Sequence, residues 1–271
     1  MASVPARAAE RIRAALKQFQ PIISAAKARD VNESDTVVIV TDLLHAVFGY
    51  DKYSEITSEH MIRGTYCDLA VKIDGTLAFL LEVKAIGIEL KDNHVKQAVD
   101  YAANQGVEWA GLTNGCIWRV YKVQFTKPIA HELVIELDLL ALNHRNGDHV
   151  DLLGVLAKEG WQKARMTEYH EQRQALSRFT LGALLMSESV VDVVRRELRR
   201  VASVRVSEDE VRAVLQNEVI KREVLEGDKA AQAARRVSRA ESRTLRKSRD
   251  GDDESEEASP ATKSVQSPSD A

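Results

Sequence analysis

Cysteine is nearly absent from this chain. Two residues in 271, Cys67 and Cys116, leave no disulfide framework and no Cys-x-x-Cys pair, so a reducing cytoplasm is the expected compartment. No apolar run approaches the ~20 residues that span a bilayer. The first residues, MASVPARAAERIRAAL, are charged every few positions and carry no signal-type apolar run. No membrane contact is expected. No internal repeat is evident, and no Gly-x-x-x-x-Gly-Lys-Ser/Thr loop supplies a nucleotide-driven motor. His144 and His149 lack metal-ligand spacing and lie in a Gly/Asn/Asp-rich loop, and His94 reads as a surface residue. No serine or cysteine has a partner base visible in the sequence.

What is present is an ordinary globular composition, 44% apolar and 29% charged, long enough for one or two domains. The net charge of −3 conceals a split. Residues 1–157 hold 16 Lys+Arg against 20 Asp+Glu, residues 158–249 hold 21 against 14, and residues 250–271 hold 1 against 7. A basic segment followed by an acidic tail points weakly to a polyanion, and a solvated helix face explains it as well.

Helical spacing predicts a first helix over Ala8–Arg29, interrupted at Pro21. A second helix follows Asn32-Glu33-Ser34-Asp35-Thr36 and stops at Gly49. Lys91–Gln105 reads as a helix, and Trp109–Leu112 and Cys116–Val123 as strands around Thr113-Asn114-Gly115. Glu132–Leu142 reads as a strand leading into a helical turn. The order α-β-β-α-β-β implies an α/β fold, a mixed sheet flanked by helices. Beyond it, Gln162–Leu185, Ser187–Val201 and Glu208–Leu225 read as helices, the last with a Ser207/Glu210 capping box. The expected divisions are 1–150, a helical region 158–226, an Ala/Arg-rich extension 227–249 and a disordered acidic tail 250–271.

The chemistry concentrates in Tyr66–Lys84, YCDLAVKIDGTLAFLLEVK. Two apolar strands flank Asp74-Gly75, and three ionisable residues, Asp68, Glu82 and Lys84, interrupt them. Both apolar sets face one core only if paired residues share parity. A three-residue loop, Asp74-Gly75-Thr76, achieves this by pairing Ile73 with Leu77, which sets Asp68 opposite Glu82 and Lys84 on the same face. Facing carboxylates repel unless compensated. A divalent cation with a taste for oxygen ligands would compensate them, and a nearby lysine could hold a water or stabilise charge on a phosphorane.

Asp68, a gap of thirteen, then Glu82-Val83-Lys84 resembles the motif of the PD-(D/E)XK nuclease superfamily. More particularly, the chain resembles the N-terminal nuclease domain of type I restriction enzyme R subunits. Four further pieces over Asp30–Val123 agree: Asn32-Glu33 through Thr36, Phe48-Gly49-Tyr50-Asp51, Gln97 with Tyr101, and Leu112-Thr113-Asn114-Gly115 with Trp118 and Tyr121. Cys67 stands where the family name has proline, and no helicase motor follows within this chain. The resemblance implies a restriction-endonuclease-like fold and metal-dependent hydrolysis of DNA phosphodiester bonds in restriction or defence. It implies Mg²⁺ (or Mn²⁺) held by Asp68, Glu82, the Val83 carbonyl and Glu33, with Lys84 activating water. Gln97 and Tyr101 would position Lys84 or the phosphate. Glu33 fits equally a helix N-terminal acid favourable to the dipole, and Tyr101 fits a core aromatic. Candidate partners are DNA, a second copy as homodimer, and a separate motor or specificity subunit. The alternatives are a non-catalytic nucleic-acid-binding or assembly subunit that keeps the fold, and action on RNA.

Overall fold

The computed structural model describes residues 4–62 and 65–256. They divide into two compact units, one reaching Gln172 and one beginning at Arg173. The first is a mixed six-stranded sheet with helices on both faces.

Helix α1 (Ala6–Ala28) buries Ala8, Ile12, Ala15, Leu16, Phe19, Ile23 and Ala26. It runs through Pro21 without a break, contrary to the expected interruption. A proline inside a helix costs ~3 kcal/mol, but the buried stripe continues on both sides of it. Each fully buried aliphatic side chain contributes roughly 1.5–3 kcal/mol, so packing outweighs the lost hydrogen bond. Helix α2 (Glu33–Ala46) begins where the Asn32 side chain accepts the Asp35 N–H at 2.9 Å. It ends just before Gly49, whose φ of +82° takes the left-handed turn.

Strand β1 (Ile56–Ile62) is an edge strand that the sequence pattern did not suggest, because its ITSEHMI run alternates poorly. It pairs antiparallel with β2 (Thr65–Ile73), which pairs antiparallel with β3 (Thr76–Val83). Helix α3 (Asp92–Gln105) then carries the chain to β4 (Trp109–Thr113), parallel to β3. Strands β5 (Ile117–Gln124) and β6 (Ala130–Asp138) complete the sheet antiparallel, in the order β1-β2-β3-β4-β5-β6. One face packs on α1, α2 and α4 (Gly147–Leu156) through Leu69, Leu81, Val83, Trp118 and Val120. The other packs on α3 through Ala110, Leu112, Tyr121 and Val123. Short helix α5 (Lys158–Gln162) comes next, and the unit boundary falls within α6 (Arg165–Ala175).

The second unit contains α7 (Arg178–Leu185), α8 (Glu188–Ala202), α9 (Glu208–Val214), a π-helical turn (Leu215–Val219), α10 (Arg222–Leu225) and α11 (Asp228–Glu256). Two expected long helices are therefore broken. Gln162–Leu185 is interrupted by Ala164 at φ +53° and by Ser177, whose hydroxyl accepts the Thr180 N–H at 3.2 Å and starts α7 afresh. Glu208–Leu225 begins on the expected Ser207/Glu210 capping box but opens at Ile220, which is extended. Such local side-chain bonds compete with a continuing helix. The helix α11 also enters the acidic stretch expected to be disordered, continuing to Glu256 through Asp250-Gly251-Asp252-Asp253, residues of low helix propensity. Residues 257–271 of that stretch lie outside the described residues.

Candidate active site

The turn between β2 and β3 has two residues, not the expected three. Asp74 (φ +51°) and Gly75 (φ +79°) fill it, and Ile73 pairs with Thr76. Two consecutive left-handed residues suit the twist of a tight hairpin. Continued regularly, this register would set Asp68 and Glu82 on opposite faces. A β-bulge prevents that: Lys72 pairs with Leu77 but Val71 with Phe79, so Ala78 is the extra residue. Beyond it Ala70 faces Leu80 and Leu69 faces Leu81. The next pair in this register is Asp68 and Glu82. The expected juxtaposition is thus reached by a different device.

Glu82 is buried, 2% exposed, with its carboxylate tied to Lys84 Nζ through Oε1 at 2.6 Å. Its Oε2 is buried without a hydrogen-bond partner. Burial, supplemented by the charges of Asp68 and Glu33, pushes its pKa up to about 7 against the pull of Lys84. Asp68 is raised as well, mainly by desolvation; its Oδ2 accepts the Val83 N–H at 2.7 Å. Lys84 also lies 3.7 Å from Glu33 at the start of α2. Desolvation disfavours its ammonium, but the Glu82 bond and the charges of Glu82, Glu33 and Asp68 together raise its pKa. Glu82 and Asp68 thus share one largely buried ammonium with the half-exposed, solvent-screened Glu33. This leaves one negative charge in excess in the buried part when both acids are ionised. In a low-dielectric site such an excess demands a further cation or a proton.

The structure brings together Asp68, Glu82, Lys84 and Glu33. On α3, Gln97 Nε2 donates to the Tyr101 hydroxyl at 3.2 Å, and Tyr101 packs on the small cluster of Cys67, Ala70 and Leu80. Tyr101 is therefore partly the core aromatic that the sequence also allowed. At Val83 it is the amide, rather than the carbonyl assigned to a metal, that engages the Asp68 carboxylate.

His94, expected at the surface, belongs to this neighbourhood. Partial desolvation first, and then the charges of Lys84 and Lys91, lower its pKa, while Glu33 opposes them. Its Nδ1 accepts the Lys91 N–H at 3.2 Å, which leaves the neutral ring its proton on Nε2. Its spacing of i, i+3 and i+7 with Gln97 and Tyr101 on a helix was the available signal.

The other motif pieces serve as scaffolding. Thr113 O accepts the Lys84 N–H at 2.8 Å and holds the end of β3 against β4. Asn114 Oδ1 accepts the amides of Cys116 (3.1 Å) and Ile117 (2.8 Å), while its Nδ2 donates to Ile88 O at 2.9 Å. The segment after Lys84 is thereby tethered to the β4–β5 turn. Tyr50 donates its buried hydroxyl to Leu156 O at 2.7 Å, and Phe48 packs on Trp118 with ring centroids 5.1 Å apart.

Among the described residues, no three His, Cys, Asp or Glu side chains converge into a ready-made metal cage. The Lys84 ammonium occupies the space between Glu82 and Glu33. Mg²⁺ seldom needs such a cage: one or two carboxylates, waters and substrate phosphate commonly suffice. The unpartnered Glu82 Oε2 and the adjacent Asp68 fit that type of donor set. A scan against protein-family models, a search among curated proteins and a search among solved structures each return no match.

Proposed function

We propose that this chain is a metal-dependent deoxyribonuclease of the PD-(D/E)XK type, hydrolysing phosphodiester bonds in restriction or defence. The observation that carries the reading is the buried Glu82 carboxylate, one oxygen on Lys84 and the other unpartnered, in register with Asp68. A structural ion pair needs no second acid beside it, and burying an uncompensated one costs several kcal/mol. Asp68 and Glu82 would hold Mg²⁺ or Mn²⁺, with Glu33 and the Val83 carbonyl at its margin. A dication there would neutralise phosphate charge and acidify a bound water. Lys84, once shared with phosphate oxygens or water, would orient the nucleophile and offset developing negative charge. Gln97 and Tyr101 would position the scissile phosphate, and the His94 Nε2–H adds a neutral donor beside Lys84.

The test is cleavage of plasmid and single-stranded DNA with Mg²⁺ or Mn²⁺. Lys84→Ala and Asp68→Ala should each lower the rate by at least ~100-fold, the scale for losing one stabilising group. Equal rates in all three proteins would remove the assignment. The Lys84 ammonium seated between Glu82 and Glu33 favours the second reading, a nucleic-acid-binding subunit without catalysis; binding without cleavage in either metal would establish it. A parallel RNA substrate decides the sugar, and sedimentation on DNA decides whether two copies act together.

A further inference from the structure

Two helices of the second unit are rich in arginine, and they differ in how those charges are met. On α8, Asp192 binds both Arg195 and Arg196, and Glu197 binds Arg200. Its cations are largely neutralised within the helix. On α11, Arg235, Arg239 and Arg243 are exposed and have neither a carboxylate nor a hydrogen-bond partner among the described residues.

Their spacing of four places them in one row, about 6 Å apart along the helix axis. Every residue three or four positions from any of them is neutral or basic: Ala231, Gln232, Ser238 and Ser242 on the neutral side, Arg236, Arg246 and Lys247 on the basic side, with Ala240 between. Like charges at this spacing cost a few tenths of a kcal/mol per pair. The row therefore carries repulsion that no residue three or four positions away relieves. Its opposite face is fixed, with Ala230, Ala233 and Val237 buried. Arg236, off the row, is tied to Thr180 Oγ1 at 3.2 Å. The row consequently has a defined direction, outward.

We infer that Arg235, Arg239 and Arg243 form a binding ridge for the phosphate backbone of a nucleic acid. A row of unpaired guanidiniums on a rigid helix matches a linear polyanion, and arginine grips phosphate through its planar fork. An anionic membrane is the poorer partner. A helix lying on lipid presents apolar side chains next to its cations, and the apolar stripe of α11 is packed away. The ridge rests on charge geometry in the second unit and stands apart from the catalytic reading of the first.

The experiment is fluorescence anisotropy of the full chain with a labelled 30-base-pair duplex in EDTA, so that no cleavage is needed, across a salt series. Replacing all three arginines by alanine should weaken binding more than tenfold at low salt. It should also flatten the plot of log K against log salt by up to ~0.9 for each phosphate no longer bound. The triple lysine variant, which keeps the charge, should retain most of the affinity. Unaltered affinity and slope in the triple alanine variant, with helicity intact by circular dichroism, would overturn the ridge. So would tighter binding to phosphatidylserine vesicles or to an acidic peptide than to the duplex.

Discussion

Glu82 sets the chemistry at the level of single residues. An acid that titrates near 4.5 in an unfolded chain and near 7 in the fold makes the native state hold the extra proton between those values. Its stabilising contribution is complete below about pH 4.5 and is lost as pH rises through 7. At ~1.36 kcal/mol per pH unit this amounts to about 3 kcal/mol, and Asp68, also raised, adds to it in the same direction. Urea denaturation in EDTA should therefore show stability falling between about pH 4.5 and about 7. Glu82→Gln should be flatter over that interval and the more stable protein at its upper end. A Glu82→Gln profile that parallels wild type would mean the carboxylate is solvated, and the cation site would lose its reason. Asp68, Glu82 and Lys84 were legible in the sequence because they interrupt an apolar pattern. His94 was not: histidine on a half-exposed helix is unremarkable until folding brings Lys84 and Glu33 beside it.

Among the elements, the β2–β3 hairpin shows what parity arguments deliver. The apolar alternation correctly required Asp68 to oppose Glu82, since Leu69, Leu81 and Val83 had to share a core. It left open how the odd residue is absorbed. Asp74-Gly75 strongly favours the two-residue turn, so the surplus moved to Ala78 as a bulge. Deleting Ala78 should then leave a regular ladder with Asp68 still facing Glu82. The deletion variant is expected to fold and to cleave DNA; an intact fold with no cleavage would show that the bulge geometry itself aims the acids. In α1, local propensity lost to packing. Pro21 is exposed, so Pro21→Ala should restore a helical hydrogen bond without disturbing the core. It should stabilise the protein by up to ~3 kcal/mol in a denaturant titration. No change would indicate that the helix has already adapted around the ring. Strand β1 stayed hidden for the opposite reason: an edge strand needs only one good partner, and its polar positions blur the alternation.

For the molecule as a whole, the sequence revealed the mixed sheet with flanking helices, and far less of the chain beyond Lys158. Helices of the second unit are interrupted by single capping residues such as Ser177, which a periodicity argument passes over. The charge balance indicated a basic region without saying which arginines are spent on neighbours and which remain free. No helix among the described residues is long and apolar enough to cross a membrane. The strand order bears on synthesis. Each strand of the sheet pairs with the one made just before it, and a single helical crossover separates β3 from β4. Glu33, Asp68, Glu82, Lys84, His94, Gln97 and Tyr101 all precede Thr113, the last residue of β4. A ribosome-bound chain can close its acidic centre before β5, β6 and α4 have left the tunnel, because contacts between chain neighbours form fastest. Helix α1 waits longest of all: its Arg11 ion pair requires Glu159, 148 residues downstream. The chemistry is laid down early, and the clasp across the first unit is fastened late.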